Sequence, residues 1–255
     1  VELSVNLDSV AVGWLVLARV SGFFLIAPVL GNRIVPAQIK IGLAVAVTIV
    51  LAQVVPMQGV AWNLPLLLWQ TIGETGVGLA LGLGARLVFE AAQAAGKLVG
   101  AQMEFGGATT YDPLSEQESG MVDRAYSIMA ILTFLAIGGH HLMLYGLADS
   151  FQKAPVGLAA LSAVRMNSLV DLSAKMLPTA ISLGLPMVAA LLLVDLVLAV
   201  IGRTVPQLQV FILGQSLKLG VGLLVLSLAL PAVIGAMAGL FQGVGQTSRL
   251  LLAGG

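Results

Sequence analysis

An all-α membrane protein is the fold class that this sequence predicts, on three observations. Of its 255 residues, 58% are hydrophobic and only 9% are charged, whereas soluble domains carry about 25% charged residues. The mean hydropathy is +1.02. The apolar residues gather into six long runs, at approximately 10–30, 40–56, 64–90, 125–147, 176–201 and 208–241, and a spanning helix needs about 20 such residues. The whole chain, 1–255, reads as one integral membrane domain of kinked helical hairpins.

The runs differ in what they can do. The second is marginal for a span, and the third and sixth are generous. If the third continues through Glu90 and Lys97 to Met103, it makes one helix roughly 60 Å long, about twice the hydrocarbon core. Part of it must then leave the bilayer or pack within protein. Pro28, Pro56, Pro178, Pro186 and Pro231 lie in or beside apolar helices, and each frees carbonyls that neighbours must satisfy. Small residues four apart, at Gly78/Gly82, Gly96/Gly100, Gly235/Gly239 and Gly239/Gly243, let helix backbones approach closely within a membrane.

The segment 105–120, FGGATTYDPLSEQESG, interrupts the apolar pattern. Its glycine pair, Asp-Pro step and Ser/Glu cluster read as a loop. Acidic charge concentrates there, at Glu104, Asp112, Glu116, Glu118 and Asp123.

Net charge is zero and no basic run suggests nucleic-acid binding. The chain has no cysteine, which removes disulfides, thiol catalysis and cysteine metal sites. The start, Val1-Glu2-Leu3-Ser4, lacks the basic flank of a secretory signal, so the first apolar run is expected to be retained. Positive charge gives no orientation. Arg33, Lys40, Lys97, Arg124 and Arg203 fall on one side of a six-span arrangement, and Lys153, Arg165, Lys175 and Arg249 on the other.

A lone charge in a spanning segment needs a partner or water. Asp195 sits inside LPMVAALLLVDLVLAVIG and Lys218 inside the next run, with only the polar break around Arg203–Gln207 between them. If that break is the tip of an antiparallel hairpin, the two positions lie at nearly the same height, at about 1.5 Å of rise per residue. An Asp195–Lys218 ion pair is therefore expected. Glu74, within IGETGVG, reads as an interhelical polar contact among glycines rather than as an ion-handling carboxylate. Arg19 is expected to reach an interface or a partner subunit's carboxylate. Arg86 and Glu90 are four apart and can pair on one helix face.

Signs of catalysis are missing from the sequence. His140 and His141 are the only histidines, and adjacent helix positions point about 100° apart, so the two are poorly placed for one metal. There is no GxSxG and no Walker-type GxxxxGK[ST]. No cofactor is expected.

Three blocks carry a family resemblance. Residues 137–157, IGGHHLMLYGLADSFQKAPVG, resemble the GGH…SF…P signature of the FliR family through Gly139, His140, Ser150 and Pro155. Residues 18–36 resemble its N-terminal pattern through Arg19, Gly22, Pro28 and Pro36. Residues 185–218 resemble its D…R-x-x-P-Q…G…K block through Asp195, Arg203, Pro206, Gln207, Gly214 and Lys218. The blocks come in the family's order, and the first fits the flagellar branch better than the SctT branch of virulence injectisomes.

The resemblance implies a non-enzymatic subunit of the flagellar type III export gate in the bacterial inner membrane and flagellar basal body. It would help form a conduit for unfolded flagellar proteins. It implies FliP-like, FliQ-like and FlhB-like partners, transient unfolded export substrates and contact with membrane lipid. It also implies that the loop before the GGH block, about 105–120 here, plugs the closed channel. Phe105, Gly106, Gly107, Tyr111, Asp112 and Pro113 are then the candidate plug residues. A self-contained secondary transporter using Asp195, Lys218 and Glu74 is the rival reading; it calls for paired broken helices in two similar halves.

Overall fold

The fold is given by a computed structural model that describes residues 7–31, 35–55, 63–103, 110–112, 117–119, 121–157, 164–204, 210–244 and 251–252. Among these are seven long helices and a two-stranded ribbon. The helices are α1 (Leu7–Ile26), α2 (Ala37–Ala52), α3 (Leu64–Met103), α4 (Met121–Ala136), α5 (Gly139–Lys153), α6 (Met166–Thr204) and α7 (Val210–Gln242). Four of them, α1, α3, α6 and α7, are long and apolar enough to cross a membrane, and α4 with α5 makes a fifth if that bent pair is one span. The protein is an all-α membrane protein.

The third apolar run does continue to Met103, as one helix of 40 residues. The fourth run is not one helix. It breaks at Ile137–Gly138 and turns through 66° between α4 and α5. Gly138 takes φ +70° there, a left-handed conformation that glycine adopts without the Cβ penalty. The 105–120 segment, read as a loop, contains the antiparallel strands β1 (Thr110–Asp112) and β2 (Gln117–Ser119), with Tyr111 opposite Glu118.

The chain divides into two compact units. The first comprises 1–88, 138–173 and 241–255; the second comprises 89–137 and 174–240. Helices α3, α6 and α7 each contribute to both.

In the first unit α1 and α3 run parallel and nearly touch. Trp14 Nε1 donates to Thr71 Oγ1 at 3.1 Å, and pairings climb both helices from there. A Cβ on Gly22 would stand 2.6 Å from the Thr75 carbonyl oxygen, and one on Gly82 would stand 2.8 Å from the Phe23 carbonyl oxygen. A Cβ on Gly78 would overlap the Arg19 carbonyl. Two parallel helices need a returning segment between them, and α2 supplies it, packed on α1. Leu15, Val16, Val20, Phe23, Val77, Leu81, Leu147 and Phe151 form the apolar core of this unit.

In the second unit α4 packs on the end of α3. Here the helices are antiparallel, since Gly96 abuts Tyr126 while Gly100 lies near Asp123. Phe89 and Phe134 meet edge to face, with centroids 5.5 Å apart. Helix α6 runs parallel to α3, with Gly184 against Ala95 and, further along both, Asp195 against Gln102. Helices α6 and α7 form an antiparallel hairpin, fixed by the Asp195–Lys218 and Leu198–Gly214 contacts. Only 17% of the spanning window of each is buried, against 56% for α1. Leu192, Leu193, Leu196, Leu223, Leu224 and Leu228 are exposed on these two helices. Such a contiguous apolar surface belongs against lipid or another apolar protein.

The glycine pairs separate cleanly on this geometry. Gly78 and Gly82 line the α1–α3 contact, whereas a Cβ on Gly235 or Gly239 meets nothing within 4 Å among the described residues. Gly78→Leu and Gly82→Leu are therefore expected to destabilise the chain itself by at least the roughly 1–3 kcal/mol typical of overpacking. Gly235→Leu and Gly239→Leu are expected to leave it unchanged. Thermal unfolding of the four variants in one detergent checks this, and equal midpoints for all four would contradict it.

Candidate functional site

One cluster of charged side chains lies within the apolar helices of the first unit and another within those of the second. In the first unit the centre is Arg19 on α1, fully buried, with Glu74 on α3 at 1% side-chain exposure. Arg19 Nε donates to Glu74 Oε2 at 2.6 Å. Its Nη1 donates to the Ser150 carbonyl at 3.1 Å and to Ser150 Oγ at 3.2 Å, and its Nη2 donates to the Ala154 carbonyl at 2.8 Å. The guanidinium plane also lies 4.2 Å over the Phe151 ring. Helix ends leave carbonyls unpaired and carry partial negative charge. Arg19 thus closes the C-terminal end of α5.

Glu74 completes the cluster from the other side. Its Oε1 accepts the Gly157 N–H at 3.0 Å, while Gln70 Nε2 donates to the Gly157 carbonyl at 2.9 Å. Gly157 holds φ +84°, so the turn that presents both backbone groups needs glycine. The cluster gathers Arg19 and Gly22 from the first sequence block and Ser150 and Pro155 from the second into one region of the fold. Arg19 reaches Glu74 of its own chain, not an interface or another subunit's carboxylate. The reason is local: Gly22 and Gly78 bring α1 and α3 so close that the two side chains face each other one turn away.

In the second unit Lys218 Nζ stands 2.8 Å from Asp195 Oδ1 and 2.9 Å from Oδ2. The lysine side chain is 2% exposed and the aspartate 32%. Gln102 Nε2, at the end of α3, donates to Asp195 Oδ2 at 3.0 Å. A neutral pair with an added hydrogen bond is the low-cost way to hold charge in an apolar helix.

The other residues singled out in the sequence are more scattered. Gly139, His140 and His141 open α5; both histidines are exposed, with ring centroids 4.1 Å apart. Pro28 lies in the turn after α1, and Pro36 caps the start of α2. Arg203 is exposed in the last turn of α6. Tyr111 and Asp112 are on strand β1. Phe105, Gly106, Gly107, Pro113, Pro206 and Gln207 lie outside the described residues.

Sequence reading missed Gln102, Gln70 and Gly157. Glu74 and Arg19 had a usable signal, since they are opposite charges in two helices rich in small residues. Gln102 had none; it is 93 positions from Asp195.

Parallel apolar helices joined by internal, neutralised charge clusters define a multi-span membrane protein. A model of the family described as bacterial export proteins, family 1, matches residues 10–244. The flagellar biosynthetic protein FliR of Bacillus subtilis is 34% identical over 252 residues, covering 94% of this chain and 93% of that protein. The FliR proteins of Pectobacterium carotovorum and Escherichia coli are 33% and 31% identical, each covering about 85% of this chain and 82–83% of the relative. The chain belongs to the bacterial export protein family of FliR.

Arg19→Leu leaves Glu74 buried and uncompensated, which is expected to cost about 3–5 kcal/mol. The joint change Arg19→Leu with Glu74→Leu is expected to recover much of that loss. Arg19→Lys is also expected to destabilise, because an ammonium cannot reach Glu74 and both α5 carbonyls with a planar fork. Denaturation of the parent, Arg19→Leu, Glu74→Leu and the joint variant as a double-mutant cycle, with Arg19→Lys alongside, measures this; additive losses would show that the two charges do not act as a pair.

Proposed function

We propose that this chain is a non-enzymatic, conduit-forming subunit of the flagellar type III protein export gate in the bacterial inner membrane. Family membership makes it a flagellar export component. The observation that carries the finer reading is the lopsided burial of its spanning helices. Helices α6 and α7 keep their apolar outer faces open while the charges that face each other across them, Asp195 and Lys218, neutralise each other. Such helices are suited to packing in a larger assembly at the flagellar basal body, with FliP-like, FliQ-like and FlhB-like subunits as partners and unfolded flagellar proteins as passing cargo. Energy for export then comes from other components or from the ion gradient. The relatives reported above are all named as flagellar proteins, which favours the flagellar branch over the injectisome branch.

The segment 105–120 is the proposed plug of the closed channel. Its strands β1 and β2 pair with each other, which satisfies the backbone groups between them and leaves only the outer edges to find partners.

Affinity purification of tagged chain from solubilised membranes, co-expressed with FliP-like and FliQ-like subunits, tests the assembly. A stoichiometric complex is expected. A well-behaved chain that ignores both partners would overturn the reading and return Asp195, Lys218 and Glu74 to the status of transport-site candidates. Deleting 106–118 is expected to leave the complex assembled but the membrane permeable to small ions, measured as dye-reported ion flux in vesicles; a tight, assembled gate would remove the plug role. Replacing His140 and His141 together with Ala is expected to leave export within about twofold of the parent, since exposed substitutions away from special features change stability by roughly ±0.5 kcal/mol. Loss of export in that variant would point to chemistry at the α5 start.

A further inference from the structure

The last two residues of α3 each engage a different helix of the α6–α7 hairpin. Gln102 donates to Asp195 Oδ2 on α6 at 3.0 Å. Met103, 2% exposed, is directed at Gly222 on α7. Its Cε and Sδ lie 2.5 and 3.0 Å from where a Cβ on Gly222 would sit. Gly222 is thus a notch that Met103 fills. The neighbouring Gly220 has nothing within 4 Å of its Cβ position among the described residues, so the notch is specific to one face. Gly222 is four residues beyond Lys218, and positions i and i+4 share a helix face. The ammonium and the notch therefore lie on one face of α7 about one turn apart, the carboxylate meets the ammonium there, and α3 ends against both.

We infer that Gln102 and Met103 are positioning residues which, with Asp195, Lys218 and Gly222, form a latch holding the C-terminal end of α3 on the α6–α7 hairpin. The latch has a polar half and an apolar half. The polar half depends on Asp195 being shared, because the oxygen that accepts from Gln102 also accepts from Lys218. Loss of the ion pair therefore loosens the helix end even though Gln102 and Met103 are untouched. This puts a carboxylate that is 32% exposed at the fixing point of the chain just before the proposed plug. Only that last consequence, for permeability, rests on the function proposed above.

The test is hydrogen exchange on the purified complex, reading the amides of residues 99–103 separately from those of α1. Gln102→Leu combined with Met103→Ala is expected to speed exchange at 99–103 about tenfold or more, as local opening of a helix end does, with α1 unchanged. Met103→Leu in the Gln102 parent is expected to exchange like the parent, because Leu still fills the notch. Unchanged exchange at 99–103 in the double variant would overturn the latch. Should that variant not assemble, Gln102→Leu alone decides: faster exchange in the parent background, absent when Asp195 and Lys218 are both Leu, supports the latch, and an equal effect in both backgrounds overturns it. Ion flux into vesicles separates this from the plug reading. Faster exchange without a leak leaves the latch and removes only its link to permeability, while a leak without faster exchange removes the latch.

Discussion

A guanidinium taken out of water inside a membrane helix constrains everything near it. Transferring such a charge costs several kcal/mol after relaxation, and the cost is met only by good pairing and full hydrogen bonding. Arg19 meets both conditions within its own chain, through Glu74, Ser150 and Ala154. The pairing requires α1 and α3 to nearly touch, which requires glycine at 22, 78 and 82. It requires α5 to end beside Arg19, next to the turn at Gly157. One buried charge thus links three separated stretches of sequence and specifies how they pack.

The second charged set works by the same physics with a different outcome. Lys218 is as buried as Arg19, but Asp195 keeps a third of its side chain open. Hence the first cluster is closed to solvent, whereas the second retains an accessible carboxylate at the junction of α3, α6 and α7. The exposed apolar faces of α6 and α7 surround it. Membrane helices gain little from apolar contact as such, since lipid tails are equally apolar. Shape, small residues and the rare polar group therefore select what packs there.

Much of this was legible in the sequence, for reasons that can be named. Hydropathy located the spanning helices because a membrane segment must satisfy its backbone internally and be apolar outside. The antiparallel hairpin and the height match of residues 195 and 218 followed from a constant rise per residue and one polar break. The bend between α4 and α5 was not legible, because an apolar run stays apolar through a glycine corner. The partner of Arg19 was misread for a similar reason. Its carboxylate lies 55 residues away in another helix, and only the glycine faces of α1 and α3 reveal that the two meet. The ribbon at 110–119 was hidden in a segment whose composition signals turns but not the strand pairing between them.

The most direct test of this account is a side-chain-resolution cryo-EM map of the chain purified with its co-expressed partner subunits. Continuous density from the Arg19 guanidinium to Glu74 and to the end of α5 within one subunit is expected. Arg19 directed instead at a carboxylate of a neighbouring subunit, with Glu74 paired elsewhere, would contradict it.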